Sequence, residues 1–482
     1  MAQQYDLIVI GSGPAGRRAA VQAAKLKKSV LVVEKGRRVG GVCVHTGTIP
    51  SKTLRETVLN LSGWRERGFY GRAHRAKADI SAEDLRRRLH ITLDHEVEVL
   101  EHQFARNNVA WVAGAARFID PHVVEVVTEA GDVKHCRGER IILAVGTEPY
   151  RPSHIPFDGD AIVDADEILD LKRLPRSIAV IGASVIGIEY ATIFSALDVK
   201  VTVVEPGPGL LSFIDRELVD EFVHDLRDRG VSLRFNSKVR AVTREGDSCR
   251  LSLEDGREIG SEMVLFAAGR KGAIDRLNLA ACGLAADDRG RLAVDRASFQ
   301  TAVAHIYAVG DIVGFPSLAS TSMEQGRIAA CHAFGQPAHA PPEFFPYGIY
   351  SVPEISTIGM TEEQVRERGI AYETGIARFR ETSRGHIMGL STGFMKMIFA
   401  LETRRLLGVH IVGEGATELI HIGQAVLNLG GALDYFVENT FNYPTLAEAY
   451  KIAALDAFNR MPRRQPSTEV FDALRDAPRK LA

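Results

Sequence analysis

The chain has 482 residues, of which 45% are hydrophobic and 25% charged, and its formal net charge is -2. That length implies two to four domains with an ordinary globular balance. So small a charge argues against general attraction to nucleic acid or anionic membranes, and no apolar run reaches membrane-spanning length.

The first element in chain order is "YDLIVI", a strand from Tyr5 to Ile10. It starts so early that no signal peptide is expected. The stretch "YDLIVIGSGPAGRRAAVQAAKLKKSVLVVEKG" reads strand, glycine turn, helix, strand. Gly11, Gly13 and Gly16 form G-x-G-x-x-G. The three permit a tight turn, close approach of backbone to a pyrophosphate, and close packing of helix on strand. The helix start adds free N–H groups and a positive dipole end. Glu34 ends the next strand, where its carboxylate can accept hydrogen bonds from a ribose.

"GGVCVHTGTIPSK" follows, with a single cysteine, Cys43, and Thr48 five positions on. A helix is predicted over Ala82–Asn107, opened by a capping box at Ser81 in which Asp84 replaces the usual Glu or Gln. "RIILAVGTEPYRP" is a buried strand with a breaker. "RSIAVIGASVIGIEYATIFSALDVKVTVVEPG" then repeats the dinucleotide pattern with Gly182, Gly187 and Glu205. Ser184 takes the middle glycine's place. Its Cβ comes close to the pyrophosphate, so this turn is expected to sit slightly differently. Two such folds in one chain predict two redox cofactors meeting face to face. "MVLFAAGRKG", around Gly269, is the strand that closes the second unit. "HIYAVGDIVGFPSLASTSMEQGRIAACHAFG" reads strand, turn and helix, with Asp311 either capping the helix or facing a cofactor from a strand end. Beyond Pro341, short strands and two helices are expected. Five dispersed cysteines (Cys43, Cys136, Cys249, Cys282, Cys331) have no metal-ligand spacing. They argue against a disulfide framework and for a reducing cytoplasm, with no metal.

In one order over almost the whole chain, the Gly11 turn, Glu34, "GGVC…TGTIPSK", "VIGIE", "YAVGD" and "YPTLAEAY" resemble the two-dinucleotide flavoproteins of the dihydrolipoamide dehydrogenase and glutathione reductase family. "HTGTIPSKTLRE", "ELIHIGQAV" and "TFNYPTLAEAY" are similar to its transhydrogenase branch. The resemblance implies an α/β fold: two Rossmann-like domains, for FAD and NAD(P), plus a C-terminal α+β dimerisation domain. It assigns 1–152 and 278–340 to FAD, 153–277 to NAD(P), 341–462 to the interface of a homodimer or larger homo-oligomer, and 463–482 to a charged mobile tail. It implies non-covalent FAD, with NAD(H) and NADP(H) as exchanging nucleotides. The implied cofactor set adds Pro14, Ala15, Lys35, Gly40, Gly41, Val42, Cys43, Lys52, Ala115, Gly146, Ala319 and Glu189 to the residues above. Lys52 matches a lysine near the flavin, where a cation favours the electron-rich reduced form, and Glu189 matches the glutamate paired with it.

The disulfide reductases of that family need a second cysteine and a histidine base from the partner subunit. Those positions are Thr48 and Tyr443 here, with Glu448 retained. Threonine forms no disulfide, and a tyrosine with a pKa of about 10 is a poor base at neutral pH. What remains is a flavin that exchanges hydride with nicotinamides in turn, NADPH giving and NAD⁺ receiving, or the reverse. Cys43 is read as packed beside the flavin or as a reactive thiolate, and His45 as packed. Glu205 favours NADH, because a carboxylate repels a 2′-phosphate and the loop "EPGPGLLSFIDR" has no basic residue before Arg216. Two other readings stay open: an NADH-dependent reductase of quinones, dyes, oxygen or peroxide that uses Cys43, and a non-enzymatic flavin-stabilised sensor or scaffold.

Overall fold

The structure is a computed structural model that describes residues 2–339 and 343–462. The 463–482 tail lies outside the described residues. Contacts divide the chain into two units, the smaller made of 214–218, 346–348 and the residues from Glu354 on.

The larger unit holds one mixed sheet with a parallel core and one parallel sheet. In the first, Ala110–Ala113, Val30–Glu34, Gln3–Ile10 and Val133–Leu143 run side by side in parallel, and Ile306–Ala308 also pairs with Val133–Leu143. The antiparallel strands Val123–Val127 and Ala115–Asp120 complete it. Its strands are apolar on both faces because both are covered. Leu7, Val9, Val30, Val32 and Ile142 pack on alanine-rich helices, while Ile8, Ile10, Leu31 and Ile141 pack on Phe118, Val124 and Leu279. Those helices are Pro14–Lys25 and Ala319–Ala333. They approach so closely that a Cβ on Gly326 would lie 2.1 Å from the Ala15 carbonyl oxygen.

The second sheet has the order Ser232–Arg234, Lys200–Val204, Ser177–Ile181, Met263–Phe266, Ile162–Asp164, all parallel. A three-stranded antiparallel meander, 239–261, covers one face through Val242, Leu251 and Leu253. Thr147–Pro149 pairs antiparallel with Arg270–Gly272, so the chain enters and leaves this lobe side by side.

The expected long helix is Ala82–Arg106, and its capping box forms. Asp84 N–H donates to Ser81 Oγ at 3.2 Å, and Ser81 N–H donates to Asp84 Oδ2 at 2.9 Å. Asp84 therefore serves the role despite its shorter side chain.

In the smaller unit an antiparallel sheet has the order Tyr347–Ile349, Ile355–Gly359, Leu406–Val412, Phe394–Ala400, Tyr372–Arg378. Two helices were expected there, and the two longest are Ala416–Asn428 and Glu448–Arg460. Three six-residue helices were not expected: Glu362–Glu367, Ser383–Met388 and Leu433–Glu438. Each is too short to show an apolar period of 3.6.

Candidate functional site

A cavity of about 630 Å³ opens at the carboxyl ends of the first sheet's strands, where ligands bind in open α/β sheets. Gly11, Gly13, Pro14, Ala15, Glu34, Lys35, Gly41, Val42, Cys43, Ala115, Gly146, Asp311 and Ala319 line it. Gly16, Gly40 and Lys52 do not line it. A Cβ on Gly16 would lie 1.9 Å from the Gly11 carbonyl oxygen, so only glycine lets the helix start there. A Cβ on Gly13 would meet nothing within 4 Å, which leaves the cavity wall open at that point. The helix Pro14–Lys25 has no side-chain cap, and its first N–H groups are left for a ligand. A bare glycine turn, a free helix N-terminus and an acid at the neighbouring strand end fit a dinucleotide.

Glu34 is buried and fully engaged. One oxygen accepts Ser12 N–H at 2.9 Å and Ser12 Oγ–H at 2.6 Å, and the other accepts Gly36 N–H at 2.9 Å. Ser12 Oγ in turn accepts Gly40 N–H at 2.8 Å. The serine ties the glycine turn to the loop that carries Cys43. Sequence reasoning passed over Ser12, although a hydroxyl between two turn glycines was a legible signal.

Asp311 lies in a short 3-10 turn. Burial pushes its carboxyl up, opposed by Arg270 and by the Thr147 and Ser322 side chains. Gly310 N–H donates to Gln325 Oε1 at 2.7 Å, which fixes that turn. Arg270 reaches Thr147 Oγ1 at 2.9 Å and Asp166 at 3.1 Å. None of Thr147, Arg270, Ser322 and Gln325 was read from the sequence. Ser322 and Gln325, three apart on one helix face, were the legible pair.

Cys43 and Thr48 both line the cavity, and the Thr48 side chain acts on the thiol. Burial pushes the Cys43 thiol up, although Thr48 and Arg17 pull the other way. The cysteine thus faces the cavity as a neutral thiol. His45 Nε2 lies 3.0 Å from the Val39 carbonyl oxygen. Lys52 stands one turn after Thr48 on the helix Thr48–Leu61. Its ammonium donates to both oxygens of Glu189, at 2.8 and 2.6 Å. Glu189 is buried on the helix Val185–Ala196.

The second glycine turn repeats the first. Gly11 and Gly182 both have φ of 103°, and a Cβ on Gly187 would lie 2.0 Å from the Gly182 carbonyl oxygen. Ser184 was expected to displace the turn. Instead its backbone is extended, at φ -76° and ψ 178°, as Gly13 is at -62° and -175°. The hydroxyl turns back to donate to the Ala267 carbonyl oxygen at 3.3 Å, so the turn keeps its shape. Glu205 accepts Ala183 N–H at 2.7 Å and Gly207 N–H at 2.8 Å. Gly269 takes a φ of 124° beside open space.

In the smaller unit Tyr443 is exposed, and its hydroxyl lies 2.5 Å from Ser383 Oγ. Glu448 accepts Arg384 N–H at 3.5 Å.

Two glycine turns on two sheets with parallel cores, and a half-buried lysine on a buried glutamate linking them, define a two-dinucleotide oxidoreductase. The chain belongs to the pyridine nucleotide-disulphide oxidoreductase family, whose model matches residues 5–326, and the family's dimerisation-domain model matches residues 345–454. That membership bears out the resemblance and fold class read from the sequence. Over 460 residues the chain is 51% identical to a Mycobacterium tuberculosis protein named soluble pyridine nucleotide transhydrogenase, covering 95% of this chain and 98% of that one. A Colwellia psychrerythraea protein of the same name is 41% identical over 461 residues, with 95% and 98% covered. Among solved structures, LpdA from Mycobacterium tuberculosis is similar with a TM-score of 0.86 at 25% identity, covering 94% of this chain and 99% of that one.

Proposed function

We propose that this protein is an FAD-dependent oxidoreductase that transfers hydride between NADPH and NAD⁺, as the name of its relatives indicates. The observation that carries this reading is the Cys43–Thr48 contact in the cavity. Where a disulfide reductase holds a dithiol, this site holds one neutral thiol against a hydroxyl. All five cysteines are free and buried.

In this reading Gly11, Gly13, Pro14, Ala15, Gly16, Glu34, Lys35, Gly40, Gly41, Val42, Ala115, Gly146, Asp311 and Ala319 hold FAD. Gly182, Ser184, Gly187, Glu205 and Gly269 hold the nicotinamide nucleotide. Bound FAD supplies a two-electron store that one nicotinamide fills and the other empties. The protein's part is position and charge. The glycine turns bring backbone N–H groups to pyrophosphate, Glu34 and Glu205 hold ribose, and Lys52, hydrogen-bonded to both oxygens of Glu189, sets a cation at the ring end. Tyr443 and Thr48 remove the base and the thiol that disulfide reduction needs. The dimerisation domain supports a homodimer. No helix among the described residues is long and apolar enough to cross a membrane, and five unpaired thiols favour a reducing cytoplasm.

The test is steady hydride transfer from NADPH to a thio-analogue of NAD⁺ by the purified FAD-loaded protein. Turnover only with quinone, oxygen or peroxide would overturn the reading, as would flavin binding without turnover.

A further inference from the structure

We propose that Tyr350 is a positioning residue for Lys52, holding its ammonium against an aromatic face and so setting the reduction potential of the flavin. The inference rests on FAD occupying the Gly11 cavity. The Lys52 ammonium lies 4.9 Å from the Tyr350 ring centroid while it donates to Glu189. A half-buried ring face at that distance attracts a cation and restricts where it can rest.

The ring is itself fixed. Tyr350 N–H donates to Glu189 Oε1 at 2.9 Å, so one carboxylate receives both the ammonium and the backbone that presents the ring. Two residues on, Val352 N–H donates to Thr192 Oγ1 at 3.1 Å. Between them the Ser351 carbonyl accepts Arg55 Nε–H at 3.0 Å. Lys52 and Arg55 are three apart on one helix, and Glu189 and Thr192 are three apart on another. Each helix therefore turns one face to the same short segment. Residues 350–352 act as a strap across both helices, and the strap carries the ring. A four-carbon lysine stem on its own leaves the ammonium several rotamers. Glutamate on one side and the ring on the other reduce them to one.

A cation held near the ring end stabilises the electron-rich reduced flavin, and a cation free to swing away stabilises it less. The experiment uses the FAD-loaded protein and measures the flavin midpoint potential and the rate of single-turnover reduction by NADH. In Tyr350→Leu the equilibrium constant for two-electron reduction should fall about threefold to tenfold, and a tenfold fall is about 30 mV. Tyr350→Phe should keep the potential, because it keeps the ring. Replacing that phenylalanine by mono-, di- and trifluorophenylalanine drains the ring face without changing its shape, and the potential should fall in that order. This series keeps the test intact if the leucine variant folds poorly. An unchanged potential through the fluorinated series overturns the proposal. So does a phenylalanine variant that matches leucine, which would assign the effect to the hydroxyl. Failure of the NADPH to thio-NAD⁺ assay in the unaltered protein would sink the transhydrogenase reading and leave these potentials interpretable.

Discussion

Ser12 gives both its N–H and its hydroxyl to one oxygen of Glu34, at 2.9 and 2.6 Å. The corresponding position of the second turn, Ala183, gives Glu205 its N–H alone, at 2.7 Å. The two nucleotide sites share a backbone and differ in how firmly their acid is held. The site with the hydroxyl is the one assigned to a resident cofactor, and the site without it is assigned to a nucleotide that must leave.

Ser12→Ala should therefore loosen FAD. A hydrogen bond to a buried carboxylate is lost, and the Gly40 N–H loses its acceptor, for a cost of about 1–3 kcal/mol. That corresponds to roughly fivefold to 150-fold weaker binding. Flavin released on dilution, followed by fluorescence, measures it. Unaltered retention would mean that the hydroxyl serves only the fold.

Thr48→Cys should not create a lipoamide or glutathione disulfide reductase. The substitution restores the second thiol beside Cys43, but Tyr443 still stands where the base is needed. An NADH-linked assay with each disulfide should show no activity above the unaltered protein. Robust activity in either would refute the account of the missing dithiol.

Glu205 bears on nucleotide choice. Its two oxygens are pinned by Ala183 and Gly207 amides, so its charge cannot move away from an incoming ribose. NADH should reduce the flavin with a higher kcat/KM than NADPH. Glu205→Ser with Pro206→Arg should shift the preference toward NADPH by about 1–3 kcal/mol, since an attractive charge replaces a repulsive one in a partly solvated site. Stopped-flow reduction with each nucleotide decides the point, and a native preference for NADPH would contradict it.

Lys396 is buried in the smaller unit, where it donates to Asp215 at 3.0 Å and to Glu362 at 2.5 Å. Burial alone would raise the Asp215 carboxyl, but His410, Lys396 and the Glu362 amide hold it below the usual carboxylate range. A carboxyl lowered on folding stabilises the protein above its unfolded pKa, and that contribution is lost as pH falls through the folded value. Stability should decline below about pH 4 for this reason. Lys396→Met leaves Asp215 buried without its cation and should cost about 3–5 kcal/mol, with the acid-side loss moved to higher pH. Adding Asp215→Leu should recover part of that cost. Urea unfolding across pH measures all three proteins, and an unchanged midpoint in Lys396→Met would show that the pair contributes nothing.

Local chemistry made much of this protein legible in its sequence. A glycine turn between an apolar strand and a helix has its own spacing, so both nucleotide folds and their acids could be placed directly. A thiol's absence is equally local, and Thr48 is visible without any fold. The Lys52–Glu189 pair came from resemblance, since no periodicity links residues 137 apart. Tyr350 and Asp215 were beyond reach for the same reason. Each acts through a partner brought near by chain packing, and a single sequence does not encode which distant groups will meet. The three six-residue helices of the smaller unit were lost because two turns carry too little pattern. The sequence determined which chemistry was possible and which was gone. The tertiary structure decided where the remaining charges rest, because burial forces each buried charge to find its partner among groups that only folding brings within 3 Å.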